Sequence, residues 1–168
     1  TAHIHLYEAG AIEATGHKIE LAKNCNGKIT VPEIERILIE NNCEDKPEPK
    51  SIFISHATEL GSVYSKDELT RISSYAHEHG LYVYLDGARL GVALTSEGND
   101  LGLKDIASLV DAFYIGGTKN GALFGEALIV TNKDIDIKIR YHMKQRGALL
   151  AKGWAISLQF VELFKDGL

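Results

Sequence analysis

The sequence predicts an α/β domain whose sheet is mainly parallel with one antiparallel strand, on three observations. Apolar runs of strand length at 51–56, 81–86 and 112–116 recur about every 30 residues with helical segments between them, the spacing of repeated βαβ units. Two helix-start signatures, Thr30-Val31-Pro32-Glu33 and Ser65-Lys66-Asp67-Glu68, each place a hydroxyl and then a carboxylate three residues on, ahead of an apolar-periodic run. A further apolar run at 127–131 follows the third strand across a Gly-rich connection too short for a crossover helix, so it pairs antiparallel as a hairpin.

The elements follow in order. His3 and His5, in AHIHLYE, fall in a short strand, where histidines usually pack or form hydrogen bonds. Helices are expected at 31–42 and 66–79, separated by an exposed charged loop, NNCEDKPEPK, and the first strand. Gly80 stops the second helix by supplying the left-handed C-terminal conformation, and LYVYLD follows as a strand. The closing run WAISLQFVELFKDGL has a helical pattern and no partner element after it, so the 168 residues read as a piece of a longer protein.

A chain of this length with 45% hydrophobic and 24% charged residues suits one globular domain with a buried core. No stretch approaches the roughly 20 apolar residues of a membrane helix, and the start lacks a basic region followed by an apolar one, which points to the cytoplasm and away from a membrane. Cys25 and Cys43 have neither CxxC spacing nor a nearby His pair, so they read as reduced structural thiols, with no disulfide framework and no metal site. The net charge of −5 argues against a nucleic-acid partner and for a small molecule.

Ligands of open parallel sheets bind outside the carboxyl ends of the strands, and Asp86 and Lys119 both fall at such ends. Lys119, among Gly116, Gly117 and Gly121, has backbone on both sides that can approach a ligand closely, and its amine can form a Schiff base; alternatively it points to solvent from a flexible turn. Asp86 at the tip of a buried strand would prefer a cationic partner such as a protonated pyridine nitrogen; its other reading is the N-cap of the next helix. The guanidinium fork of Arg89 suits a carboxylate or a phenolic oxygen, or a salt bridge to a nearby acid.

The segments AHIHLYEAGAIEATGH, ISHATELGSVYS, YLDGAR and FYIGGTKNGALFGEAL, in this order, resemble the low-specificity threonine aldolases and related β-eliminating lyases. The resemblance extends over nearly the whole chain, and DGAR followed about thirty residues on by a Gly-rich TKNG is more specific than either motif alone. It implies a three-layer α/β/α large domain of fold type I, with residues 1–168 forming part of that domain.

The resemblance implies pyridoxal 5′-phosphate as cofactor, with Lys119 as its Schiff-base lysine and Asp86 as partner of its ring nitrogen. Arg89 would lie near the cofactor's O3′ and the substrate carboxylate, His3 would stack on the ring, and Thr118 would join the cofactor-binding set. Lys144, Arg146 and Lys152 fall where the family has positive residues able to reach a cofactor phosphate, sometimes in a neighbouring subunit; a solvated helix face is the other reading. A homodimer or homotetramer is implied as well.

The reaction implied is cleavage of the Cα–Cβ bond of a β-hydroxy amino acid, threonine or allo-threonine, to glycine and an aldehyde. One departure is that Glu59 stands near where many threonine aldolases place a histidine, and His56 lies three residues earlier. Glu59 could take the proton of the β-hydroxyl if burial raised its pKa, or could be a carboxylate on a solvated turn. Competing readings are a β-eliminating lyase or aminotransferase sharing the same lysine and aspartate, and an inactive dinucleotide-binding or interaction domain. No G-x-G-x-x-G opens a helix here.

Overall fold

The computed structural model describes residues 1–166. A short helix α1 (His3–Leu6) and a 3₁₀ turn (Glu13–Thr15) precede α2 (Val31–Glu40), β1 (Ser51–Ser55), α3 (Lys66–Glu78) and β2 (Tyr82–Asp86). Then follow α4 (Leu90–Leu94), α5 (Leu103–Leu109), β3 (Ala112–Gly116), β4 (Glu126–Val130), α6 (Lys133–Gln145) and α7 (Trp154–Leu163). The four strands form one sheet in the order β1-β2-β3-β4, parallel except for β4, which runs antiparallel to β3. Mainly parallel strands with one antiparallel hairpin are what the run spacing predicted.

Alternation sorts the strand residues onto two faces. Ile52, Ile54, Val83, Leu85, Phe113 and Ile115 form one core with Ile34 of α2, Leu69 and Ile72 of α3, Leu90 of α4 and Ile106 of α5. Val83 and Leu85 are fully buried, and burying an aliphatic side chain of this size contributes about 2 kcal/mol. Phe53, Tyr84, Tyr114 and Leu128 stand on the other face, opposite residues of α1 and α6, so helices flank both faces and a cleft remains on the second.

The Ser65 capping box forms as expected. Ser65 Oγ accepts the Glu68 N–H at 3.2 Å, Glu68 Oε2 accepts the Ser65 N–H at 2.8 Å, and both Glu68 oxygens hold Lys28 Nζ at 2.7 Å. Helix α3 buries Leu69, Ile72, Ser73 and Ala76, the spacing of one helical stripe. It ends on Gly80, at φ +67°, with Gly80 N–H donating to His77 O at 3.1 Å and Leu81 N–H to Ala76 O at 2.9 Å, a Schellman closure.

Three local expectations are corrected. The Thr30 box does not form: Glu33 N–H donates to Thr30 O at 3.1 Å and not to the hydroxyl, and Glu33 Oε2 accepts from Lys23 N–H and from the Arg36 guanidinium, each within 3.1 Å. His3 and His5 lie in a turn of helix, since no neighbouring strand is present among the described residues to pair with that segment. Cys25 and Cys43 are free but exposed, so they are not packing residues. Among the described residues, no helix is long and apolar enough to cross a membrane and no group of three or more His, Cys, Asp or Glu could hold a metal ion.

Candidate active site

The carboxyl ends of β2 and β3 open into a cleft of about 840 Å³ lined by His3, Asp86, Arg89, Thr118 and Lys119 together with Tyr84, Tyr114 and Glu126. Five residues singled out from sequence thus meet in one place, although up to 116 positions separate them in the chain.

Asp86 is 8% exposed at the last position of β2. Its Oδ1 accepts the Ala88 N–H at 2.9 Å and the Tyr114 hydroxyl at 2.5 Å, whereas no described group donates to Oδ2. The first of these bonds is an Asx turn two residues on and not a helix cap, since the N-cap of α4 is Arg89 and receives no side-chain bond. A buried carboxylate with one saturated and one open oxygen, on the wall of a cleft, suits a cationic N–H donor brought by a ligand.

Lys119 projects from the tight loop between β3 and β4. Asn120 Nδ2 donates to Gly116 O at 2.6 Å, Asn120 N–H and Ala122 N–H donate to Gly117 O at 2.9 and 3.0 Å, and Gly117 N–H donates to Glu126 Oε2 at 3.0 Å. A Cβ on Gly117 would collide with the Gly125 carbonyl, so the loop crosses itself only because that position is glycine. From α7, Gln159 closes the far side, accepting the Leu123 N–H at 2.7 Å and donating to Phe124 O at 3.0 Å. Lys119 is therefore exposed on a loop held at both ends, which differs from the flexible turn of the plainer sequence reading.

Lys119 and Arg89 enter no ion pair with a described residue. Two cations are thus presented to the cleft without acidic partners, the arrangement that receives an anionic ligand. His3 is half-buried beside Tyr7, ring centroids 4.9 Å apart, with Glu8 Oε1 3.4 Å from Nδ1. Burial, then the nearby Asp86 and Glu126, push the Tyr84 phenol up to about 12.

Four expected residues lie elsewhere. Glu59 does not line the cleft: it follows β1 and accepts the Ser55 hydroxyl at 2.8 Å. Lys144 and Arg146, at the end of α6, and Lys152, before α7, are exposed and likewise outside it, because only the first half of α6, with Ile135 and Ile139, borders the cleft. The sequence reading passed over Tyr84, Tyr114 and Glu126. Their positions as alternate residues on one sheet face were legible once 81–86 and 112–116 were taken as strands, but which face would be open was not.

The sequence matches the family described as beta-eliminating lyase over residues 1–163. It is 36% identical to a low-specificity L-threonine aldolase of Pseudomonas sp. (strain NCIMB 10558) over 169 aligned positions, covering 99% of this chain and 49% of that protein. It is also 30% identical to alanine racemase TOXG of Cochliobolus carbonum, over 92% of this chain and 39% of that protein. A solved structure of Leishmania major threonine aldolase superposes with a TM-score of 0.95 at 54% identity, over 98% of this chain and 48% of that one. The chain spans about half the length of the curated relatives it matches. With the family matched over residues 1–163 and relatives above 30% identical along nearly the whole chain, the chain belongs to the β-eliminating lyase family.

Proposed function

We propose that the chain is part of the large domain of a pyridoxal-phosphate-dependent aldehyde-lyase, which cleaves threonine or allo-threonine to glycine and acetaldehyde. The observation that carries this reading is the pairing, in one cleft, of buried Asp86 with its open Oδ2 and of Lys119 on a braced loop. These residues fit the cofactor: Asp86 would accept the N–H of its ring nitrogen, Lys119 would hold it through its amine, and Arg89 and Thr118 would supply polar donors around it. When bound, the pyridoxal ring supplies an electron sink for the bond broken at Cα.

The chain's own groups do the rest. Asp86 would hold a proton at the ring nitrogen by charge attraction in a desolvated setting. Arg89 orients the substrate carboxylate with its guanidinium fork. His3 would stack against the ring, and the groups lining the cleft able to take the β-hydroxyl proton include His3, Glu8 and Glu126. Glu59, with Ser55 on its carboxylate, enters this role only if its loop turns toward the cleft. Lys144, Arg146 and Lys152 would serve a phosphate in a neighbouring subunit of a homodimer or homotetramer. Exposed Trp154, Leu158 and Val161 on α7 support such an apolar contact, and the exposed, unpaired Cys25 and Cys43 suit the reducing cytoplasm.

The test uses the full-length protein containing this chain. Borohydride reduction with pyridoxal phosphate should leave a mass adduct on Lys119, and threonine should yield acetaldehyde. An adduct elsewhere defeats the cofactor assignment; pyruvate and ammonia in place of acetaldehyde assign β-elimination.

A further inference from the structure

Tyr114 reaches Asp86 from the neighbouring strand. The register pairs Leu85 with Phe113, which sets Tyr114 beside Asp86 on the cleft face. Its hydroxyl donates to Asp86 Oδ1 at 2.5 Å, the same oxygen that accepts from Ala88 N–H. The ring is fixed by its neighbours on that face: its centroid lies 6.4 Å from that of Tyr84, which stacks on Phe53 at 5.5 Å. Burial, and then the hydrogen bond to Asp86, raise the Tyr114 phenol well above the ordinary tyrosine range, so it remains a donor at any working pH.

Donors to a carboxylate stabilise its charged form and make it a weaker base, whereas a carboxylate stripped of them competes harder for a shared proton. We infer that Tyr114 is a positioning residue that acts through Asp86: its hydroxyl holds Asp86 as the anion, so that the proton between Asp86 Oδ2 and the cofactor's ring nitrogen stays on the ring. The inference rests on the cofactor reading above. It also explains why both donors fall on Oδ1: with one oxygen saturated from inside the protein, the other is reserved for the ligand. No atom changes bonding partner in the resting site; what Tyr114 sets is the position of one shared proton.

The experiment is ¹⁵N NMR of the full-length protein loaded with pyridoxal 5′-phosphate labelled at the ring nitrogen. Wild type, Tyr114→Phe, Asp86→Asn and the double variant are compared, with unfolding midpoints measured in parallel. Tyr114→Phe is expected to move the ring resonance from the pyridinium position toward that of unprotonated pyridine while the cofactor stays on Lys119. In the Asp86→Asn background the same substitution is expected to move it no further.

A Tyr114→Phe resonance unmoved from wild type, or moved equally with and without Asp86, overturns the inference while leaving the cofactor reading intact. If Asp86→Asn itself leaves the resonance in place, the cofactor reading fails and the inference falls with it. Fluorotyrosine at position 114 covers the case in which Tyr114→Phe fails to fold. It keeps the ring and strengthens the donor, so the pH at which the ring nitrogen loses its proton should rise above that of wild type, and an unchanged or lowered value also overturns the inference.

Discussion

Asp111 Oδ2 accepts the main-chain N–H of Val83 at 2.7 Å, while the Asp111 N–H donates to Val83 O at 2.9 Å, so a side chain extends the β2–β3 ladder where the β3 backbone has not yet begun. Asp111 is 6% exposed and its other oxygen holds Asn132 Nδ2 at 2.7 Å, which ties the start of α6 to the same point. Asp111→Ala should cost about 2–4 kcal/mol in urea unfolding, because the buried Val83 N–H and the half-buried Asn132 amide lose their acceptor. Burial raises the Asp111 carboxyl, but bonds from Asn132, Val83 and His77 outweigh it and hold it below the ordinary value of 3.8. Its contribution is therefore present above that value and fades as pH falls through the lower folded one. An unfolding curve for Asp111→Ala that matches wild type would refute this.

His56 is fully buried, with Nδ1 accepting the Tyr64 N–H at 3.3 Å and Nε2 without a partner among the described residues. Burial first, then Lys28, lowers its pKa from 6.5 to about 4. The unfolded chain thus binds a proton that the folded one refuses. Stability should be unaffected above pH 6.5 and fall as pH drops from there toward 4, by about 3 kcal/mol at 1.36 per unit. In His56→Asn, which keeps an acceptor for Tyr64, that acid-side slope should flatten, as read by urea midpoints between pH 7 and 4.

Gly117→Ala places a methyl on the Gly125 carbonyl. The loop must open to accept it, at a cost of about 1–3 kcal/mol, and Lys119 moves with it. The expected result is a lower thermal midpoint together with loss of the borohydride adduct. An adduct of full yield would mean that loop geometry does not place the amine.

Arg89→Lys keeps the charge and removes the fork. If Arg89 orients the substrate carboxylate, KM for threonine should rise roughly tenfold, equivalent to about 1.4 kcal/mol, with cofactor attachment at Lys119 unchanged. An unchanged KM assigns Arg89 to the cofactor alone.

How far the molecule was legible varied with the physics behind each feature. The strands at 112–116 and 127–131 could be found because a buried strand is an apolar run and a Gly-rich link too short for a helix admits one pairing only. The Ser65 cap was legible because both partners sit within one turn. The carboxylate half of the identically spaced Thr30 box was not, because Glu33 is claimed by Lys23 and Arg36, the first of them ten residues away and invisible to a local pattern. Asp86 and Lys119 announced themselves by their places at strand ends. Tyr114 did not, since its significance depends on a hydroxyl crossing between strands that only the register brings level.

The strand order repeats the chain order, each new strand pairing with the one made just before it. Among the described residues, no strand has to wait for a later one to be threaded beside it, and each loop closure spans only a few tens of residues, which keeps its entropic cost small. Assembly can therefore proceed vectorially as the polypeptide leaves the ribosome. β1 and α3 furnish a template for β2, and β2 for β3, so the two halves of the cleft, Asp86 and then Lys119, are completed in the sequence in which they are synthesised.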